Sequence, residues 1–262
     1  MEKFFLLAGL PRSGSTWLGQ ILNQNPRIYV PLKSPFVELL WRQYSLWDDP
    51  TWKEDFVDME DLRTPYLKKL TNLYFSELTN KPVVIDSRRH WQSITNIEMY
   101  ASLFGELPKI ICQVRDVEEI MASFASLFKK NNIEWNRSAM NGNLFDNNYL
   151  QLKNSFESKY KDCFMFIKYK DLSTNPIKIL KRIYKFIGED FYDHNFDTVN
   201  KDDSHKKAEK LLGLNGLHNV KKGIVKSKTN PNKYFSKQQI ESFAEMSFWN
   251  ENHDGMGLNR WL

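Results

Sequence analysis

The sequence predicts an α/β fold, a three-layer sandwich with a central, mostly parallel sheet flanked by helices. Three observations carry this. Short apolar runs of the buried-strand type recur at Phe4-Phe5-Leu6-Leu7-Ala8, Val83-Val84-Ile85, Ile110-Ile111-Cys112 and Phe164-Met165-Phe166-Ile167. Segments of helical periodicity separate them. The resulting β, α, β, α order favours right-handed crossovers and one doubly wound layer. At 262 residues and 41% hydrophobic content, the chain is long enough for one such domain over 1–262, and a second is not required.

The first strand runs into Gly9, and the turn Leu10-Pro11-Arg12-Ser13-Gly14 leads to a helix marked by Trp17, Leu18, Ile21 and Leu22. Unpaired N–H groups and the positive end of the helix dipole make such a turn an anion site. Gly9 and Gly14 are separated by four residues and Thr16 follows, a P-loop-like pattern. Ser15, however, stands where that motif has lysine, and the nearby cation is Arg12, inside the turn. The loop therefore suits phosphate or sulfate without the usual nucleoside-triphosphate apparatus.

Asn25-Pro26 ends the first helix, and Arg27-Ile28-Tyr29-Val30 is a short extended run. Ser34 and Pro35 then read as the cap and first position of a helix with Phe36, Leu39, Leu40 and Tyr44 on its apolar face. Glu38 fits either a capping box closed from Ser34 or a catalytic carboxylate. Residues 45–60 read as a connection with lid-like aromatics, and a helix is expected over about 61–78. Ser87-Arg88-Arg89-His90-Trp91 leaves the carboxyl end of the next strand, where open α/β sheets bind ligands.

Arg115 stands at the end of the strand over 109–114. Asp116 reads as the cap of a helix whose stripe is Val117, Ile120, Met121, Phe124, Leu127 and Phe128. Ser123 lies at the edge of that stripe, and Arg115 and Ser123 are placed to hold one phosphate. Residues 131–148, dense in Asn, read as a mobile loop or lid. A helix over 147–160, a strand over 163–169 and a helix from Pro176 to the Gly188 stop follow, with Ile177 expected inward. Residues 201–233 form a Lys-rich late loop, and Ser236 caps a last helix.

The net charge of +5 suits an anionic ligand and calls for no nucleic acid. Cys112 and Cys163 lie in apolar segments without metal-ligand spacing, as expected of reduced thiols in a cytoplasmic protein. Arg12 interrupts the opening apolar run, which is better used as a strand than as a signal peptide, and no segment reaches the roughly 18 uncharged residues of a membrane span.

Three features stand together: Leu10-Pro11-Arg12-Ser13-Gly14-Ser15-Thr16-Trp17, Val114-Arg115-Asp116 with Ser123 eight residues after Arg115, and Lys168-Tyr169-Lys170-Asp171-Leu172. Together they resemble the sulfotransferases that use 3′-phosphoadenosine-5′-phosphosulfate (PAPS) and release adenosine 3′,5′-bisphosphate (PAP). The first is similar to that family's 5′-phosphosulfate loop, in the arginine form of tyrosylprotein sulfotransferases. The resemblance assigns Arg12, Ser13, Gly14, Ser15, Thr16 and Trp17 to the phosphosulfate, Arg115 and Ser123 to the 3′-phosphate, and Tyr169 to a cofactor contact. Lys221-Lys222-Gly223 looks like the Arg-Lys-Gly run that closes over the cofactor in cytosolic members. In sulfuryl transfer an oriented guanidinium and helix amides stabilise the charged leaving oxygen, which makes Arg12 catalytic and implies no metal.

A general base is also required. By offset from Arg12, the glutamate position of the tyrosylprotein enzymes falls at Lys33, and the candidates in this chain are Glu38, His90 and His218. A small molecule, a sugar or a peptide fits equally as acceptor. Two other readings stand beside this one. One is a P-loop-like kinase using Asp86 as its metal carboxylate. The other is a nucleotide-binding relative without activity, suggested by Lys33.

Overall fold

The computed structural model describes residues 1–136, 140, 144–198, 216 and 229–250. Its sheet has five strands, β1 (Lys3–Gly9), β2 (Ile28–Tyr29), β3 (Val83–Ser87), β4 (Ile110–Val114) and β5 (Phe164–Lys168), in the order β2-β3-β1-β4-β5. Every pairing is parallel, with Phe5 beside Ile85 and Ala8 beside Cys112. The expected fold class is therefore observed, with a sheet parallel throughout.

Alternation along β1 explains the three layers. Leu6 and Ala8 face one core with α2 (Phe36–Leu46), α4 (Glu60–Ser76), α5 (Ile94–Phe104), α6 (Val117–Lys130) and α7 (Asp146–Phe156). Phe5 and Leu7 face the other, with α1 (Ser15–Leu22), α8 (Tyr169–Thr174) and α9 (Pro176–Ile187). A strand covered on both faces needs a continuous apolar run, which is what made these strands readable. A short helix, α3 (Lys53–Phe56), lies in the 45–60 connection. Among the described residues no helix is long and apolar enough to cross a membrane.

The chain places β2 and β3 on one side of β1 and β4 and β5 on the other. A crevice consequently opens at the carboxyl end of β1, the position where doubly wound sheets bind ligands.

Some local expectations change. Asp116 makes no side-chain cap; instead Ser247 Oγ accepts the Val117 N–H at 2.9 Å, and Asn250 Nδ2 donates to Asp116 Oδ1 at 2.7 Å. The segment after the last helix, Lys237–Glu245, thus completes the start of α6, anchored by the fully buried Trp249. Ile177 is 49% exposed, while Ile179 is buried. Within 131–148, Met140 and Phe145 are fully buried, Trp135 packs against Phe128 and Phe235, and α7 already begins at Asp146. The closing Trp261-Leu262, which the sequence leads one to expect as a pin for the C-terminus together with Trp249, lies outside the described residues.

Candidate active site

The loop after β1 is tied down from within. Leu10 N–H donates to Gln113 O at 3.2 Å and Gly9 N–H to Gln92 Oε1 at 3.1 Å. Gly9 has φ 127°, and a Cβ there would stand 2.0 Å from Gln113 O, so β1 and β4 meet too closely for any side chain. Ser13 is fully buried and its hydroxyl donates to Leu10 O at 2.6 Å; it shapes the turn rather than facing the crevice. Arg12 is held at φ 62°, a left-handed conformation costing a non-glycine residue about 1–2 kcal/mol. Such strain persists where the surroundings impose it, often at ligand sites. Gly14 precedes α1 without a side-chain cap, and Ser15, Thr16 and Trp17 in the first turn are partly exposed.

Three other elements close on this loop. Arg12 Nε donates to Ser123 Oγ of α6 at 3.1 Å, and Arg115 Nη1 donates to Arg12 O at 3.3 Å. Arg115 also donates from Nε to Glu119 Oε2 at 2.8 Å, one helical turn on. Its guanidinium carbon lies 5.1 Å from the centre of the Tyr169 ring. That ring reaches Gly14: a Cβ there would come within 2.8 Å of Tyr169 Cδ2. Tyr169 was expected at the end of a strand but opens α8, which turns its ring back over the loop. Burial pushes the Tyr169 hydroxyl up, Arg115 opposes this and Glu119 adds to it. Arg12, Gly14, Arg115, Ser123 and Tyr169 thus form one cluster.

Across β1 lies a second cluster. Glu38 Oε1 accepts both the Arg88 guanidinium at 2.6 Å and His90 Nδ1 at 2.7 Å. Ser34 Oγ accepts the Phe36 N–H, leaving the expected capping box unmade and Glu38 turned to the end of β3. Burial works to raise the Glu38 carboxyl, but the His90 hydrogen bond and the Arg88 charge outweigh it and hold the group below the usual carboxylate range. His90 O accepts from Asn96 Nδ2 at 2.7 Å, fixing the turn. Below it, the fully buried Asp86 accepts the Trp91 indole N–H at 2.6 Å. Burial pushes this carboxyl up to about 6, against hydrogen bonds from Ser34 and Trp91.

His218, Lys221, Lys222 and Gly223 lie outside the described residues. Reasoning from sequence missed Arg88 as the partner of Glu38, Gln92 as the support of Gly9, and Glu119 as the partner of Arg115. Gln113 was also missed: it is fully buried beneath the loop, with both amide atoms unpartnered among the described residues. A glutamine inside the apolar run Ile110-Ile111-Cys112-Gln113-Val114 was the available signal.

A sulfotransferase domain family matches residues 2–253. The chain belongs to the sulfotransferase family. It is an enzyme, a transferase of sulfuryl groups. No curated protein matches this sulfotransferase in sequence. Among solved structures it is similar to the sulfotransferase domain of the curacin biosynthetic pathway, with 17% identity, TM-score 0.58 and coverage of 92% of this chain and 95% of that one. The sulfotransferase domain of the Synechococcus PCC 7002 olefin synthase gives 18%, 0.53, 95% and 94%. Mouse sulfotransferase SULT7A1, solved in complex with PAP, gives 15%, 0.53, 98% and 87%. At these identities the likeness is one of fold. Asp86, which a kinase reading required as a metal ligand, is enclosed in the core of this sulfotransferase and bonded to Trp91.

Proposed function

We propose that this sulfotransferase moves the sulfuryl group of PAPS to a hydroxyl or amine. The observation that carries the reading is the meeting of Arg12 with Ser123 and Arg115 beside a helix N-terminus, which gathers three anion-binding elements in one place. The absence of a Cβ at Gly14 makes room for the Tyr169 ring, which packs down on the loop beside these elements.

When bound, the donor supplies an activated sulfuryl group on a phosphate leaving group. Arg12 and the first amides of α1, from Ser15 to Trp17, stabilise the negative charge that grows on the leaving oxygen. Arg115 and Ser123 hold the 3′-phosphate, and Tyr169 walls the site. Lys221, Lys222 and Gly223 are assigned to the same nucleotide through the family resemblance. In the transfer, a bond forms between sulfur and the acceptor oxygen or nitrogen, the sulfur–phosphate oxygen bond breaks with its electron pair staying on phosphate, and the acceptor proton passes to a base.

Glu38 and His90 work here as a pair rather than as alternatives. An ionised carboxylate only accepts, so the proton shared with Glu38 sits on His90 Nδ1, leaving Nε2 as the proton acceptor. A carboxyl held below its usual range is a poor base, so His90 takes the proton and Glu38 orients it. His218 is the remaining alternative. The acceptor is a small molecule, a sugar or a peptide. The free, buried thiols of Cys112 and Cys163 support a cytoplasmic setting.

Calorimetry with PAP and with Mg-ATP tests the donor. Binding of PAP in preference to Mg-ATP is expected, and the reverse preference would sink the proposal. Mass spectrometry of a metabolite extract incubated with protein and PAPS then identifies the acceptor by its added sulfo group.

A further inference from the structure

Among the described residues Arg89 has no counter-ion. Arg27, Arg63, Arg88 and Arg115 each pair with a carboxylate, whereas Arg89 meets none of those described, and its Nη1 is enclosed without a hydrogen-bond acceptor among them. Burial and the adjacent Arg88 pull the guanidinium down to about 10, the direction expected of a cation in want of an anion. An uncompensated charge of this kind is costly to enclose, and an anionic ligand would relieve that cost.

Its position says which ligand. Arg89 opens the 3-10 turn Arg89–Gln92, in which side chains three apart eclipse. It therefore stands on the side of Gln92, whose amide bridges Gly9 N–H and, at 2.6 Å, Asn148 O of α7. The cluster of Arg12, Ser123, Arg115 and Tyr169 lies toward β4 and β5, across the loop. Arg89 instead follows the end of β3 and immediately precedes His90, the residue assigned above to take the acceptor's proton.

We propose that Arg89 reads an anionic group on the acceptor, so that the molecule sulfated is a hydroxy or amino compound bearing a carboxylate or phosphate. This rests on the donor and base assignments above. Matched acid and amide pairs test it, 4-hydroxyphenylacetate with its amide and 6-aminohexanoate with its amide among them, in PAPS-dependent sulfation by the full chain. The acids are expected to be preferred by at least about tenfold in kcat/KM, the scale of one charge-assisted hydrogen bond. Arg89→Gln should bring that ratio near unity with PAP affinity unchanged, and Arg89→Lys should restore part of it.

A thermal measurement reads the same site without turnover. With PAP saturating, inorganic phosphate and 4-hydroxyphenylacetate should raise the Tm of the wild type and leave that of Arg89→Gln unmoved. Removal of the uncompensated charge should itself not lower Tm; if Arg89→Gln fails to fold, Arg89→Lys and the wild-type thermal shift still decide. Equal use of acids and amides, a preference that survives Arg89→Gln, or a wild-type Tm indifferent to both anions overturns the proposal. Loss of PAPS affinity in Arg89→Gln with PAP affinity intact overturns it too, assigning Arg89 to the donor's sulfuryl group. Failure to bind PAP at all would count against the function proposed above rather than against Arg89.

Discussion

The Glu38 carboxylate and the His90 ring meet at 2.7 Å through Oε1 and Nδ1, although 52 residues separate them in sequence. The contact fixes the ring, and Arg88 on the same oxygen keeps the carboxylate charged. His90→Ala should lower kcat by about 10²–10⁴-fold with PAP affinity unchanged, the range of general base catalysis. Glu38→Gln, which retains size but offers a weaker acceptor, should cost less, about 10–10²-fold. Steady-state kinetics beside PAP calorimetry separates the two roles; an unaltered kcat in His90→Ala would pass the base role to His218.

The same pair has a signature in stability. A carboxyl held below its unfolded value contributes stability that is fully present above the ordinary carboxylate range and is lost as pH falls through the folded value. Thermal denaturation of Glu38→Gln should therefore show a shallower loss than wild type below about pH 4.

Asp86 carries the opposite sign. Its carboxyl is pushed up to about 6 in the folded protein, so its contribution is complete below the unfolded value of 3.8 and is lost as pH rises through about 6. Asp86→Asn keeps an acceptor for the Trp91 N–H without the buried charge. It should gain up to roughly 2–3 kcal/mol over wild type at pH 7, the scale of a two-unit shift, with the difference vanishing near pH 4. Paired melts across that range check both the sign and the window.

Arg12→Ala should collapse turnover more than PAP affinity. Charge on the leaving oxygen develops mainly in the transition state, and loss of one such donor costs about 10²–10³-fold in kcat. Equal losses in kcat and in PAP binding would instead make Arg12 a ground-state anchor.

Gly14→Ala meets two obstacles: φ 93° and the Tyr169 ring within 2.8 Å of the new methyl group. Destabilisation by about 1–3 kcal/mol and loss of PAP binding are expected. Adding Tyr169→Ala should relieve the clash and recover only part of the stability, because the backbone strain remains. Denaturant titration of the single and double variants measures that split.

The sheet was legible because its central strands are buried on both faces and must read as apolar runs. Arg12, Arg115 and Ser123 were legible because strand ends and one helix edge point them at the same crevice. The Glu38–His90–Arg88 contact was not legible, since it depends on β3 inserting between β1 and β2, and nothing local to residues 26–40 states that order. Near Glu38 the sequence allowed two uses of one carboxylate, and only packing of α2 against the end of β3 chose between them. Asp116 misled for a related reason: its expected cap is replaced by Ser247, 130 residues beyond the Val117 N–H it accepts.

Tyr169 leans on Gly14 from the far end of the sheet, directly after β5. During synthesis the phosphate loop therefore emerges about 150 residues before the ring that covers it. A nascent chain halted before Tyr169 could pair β1 through β4 and still lack one wall of its nucleotide cleft. Tight nucleotide binding should accordingly be a late event on the ribosome, gained when the last strand docks rather than when the loop is made.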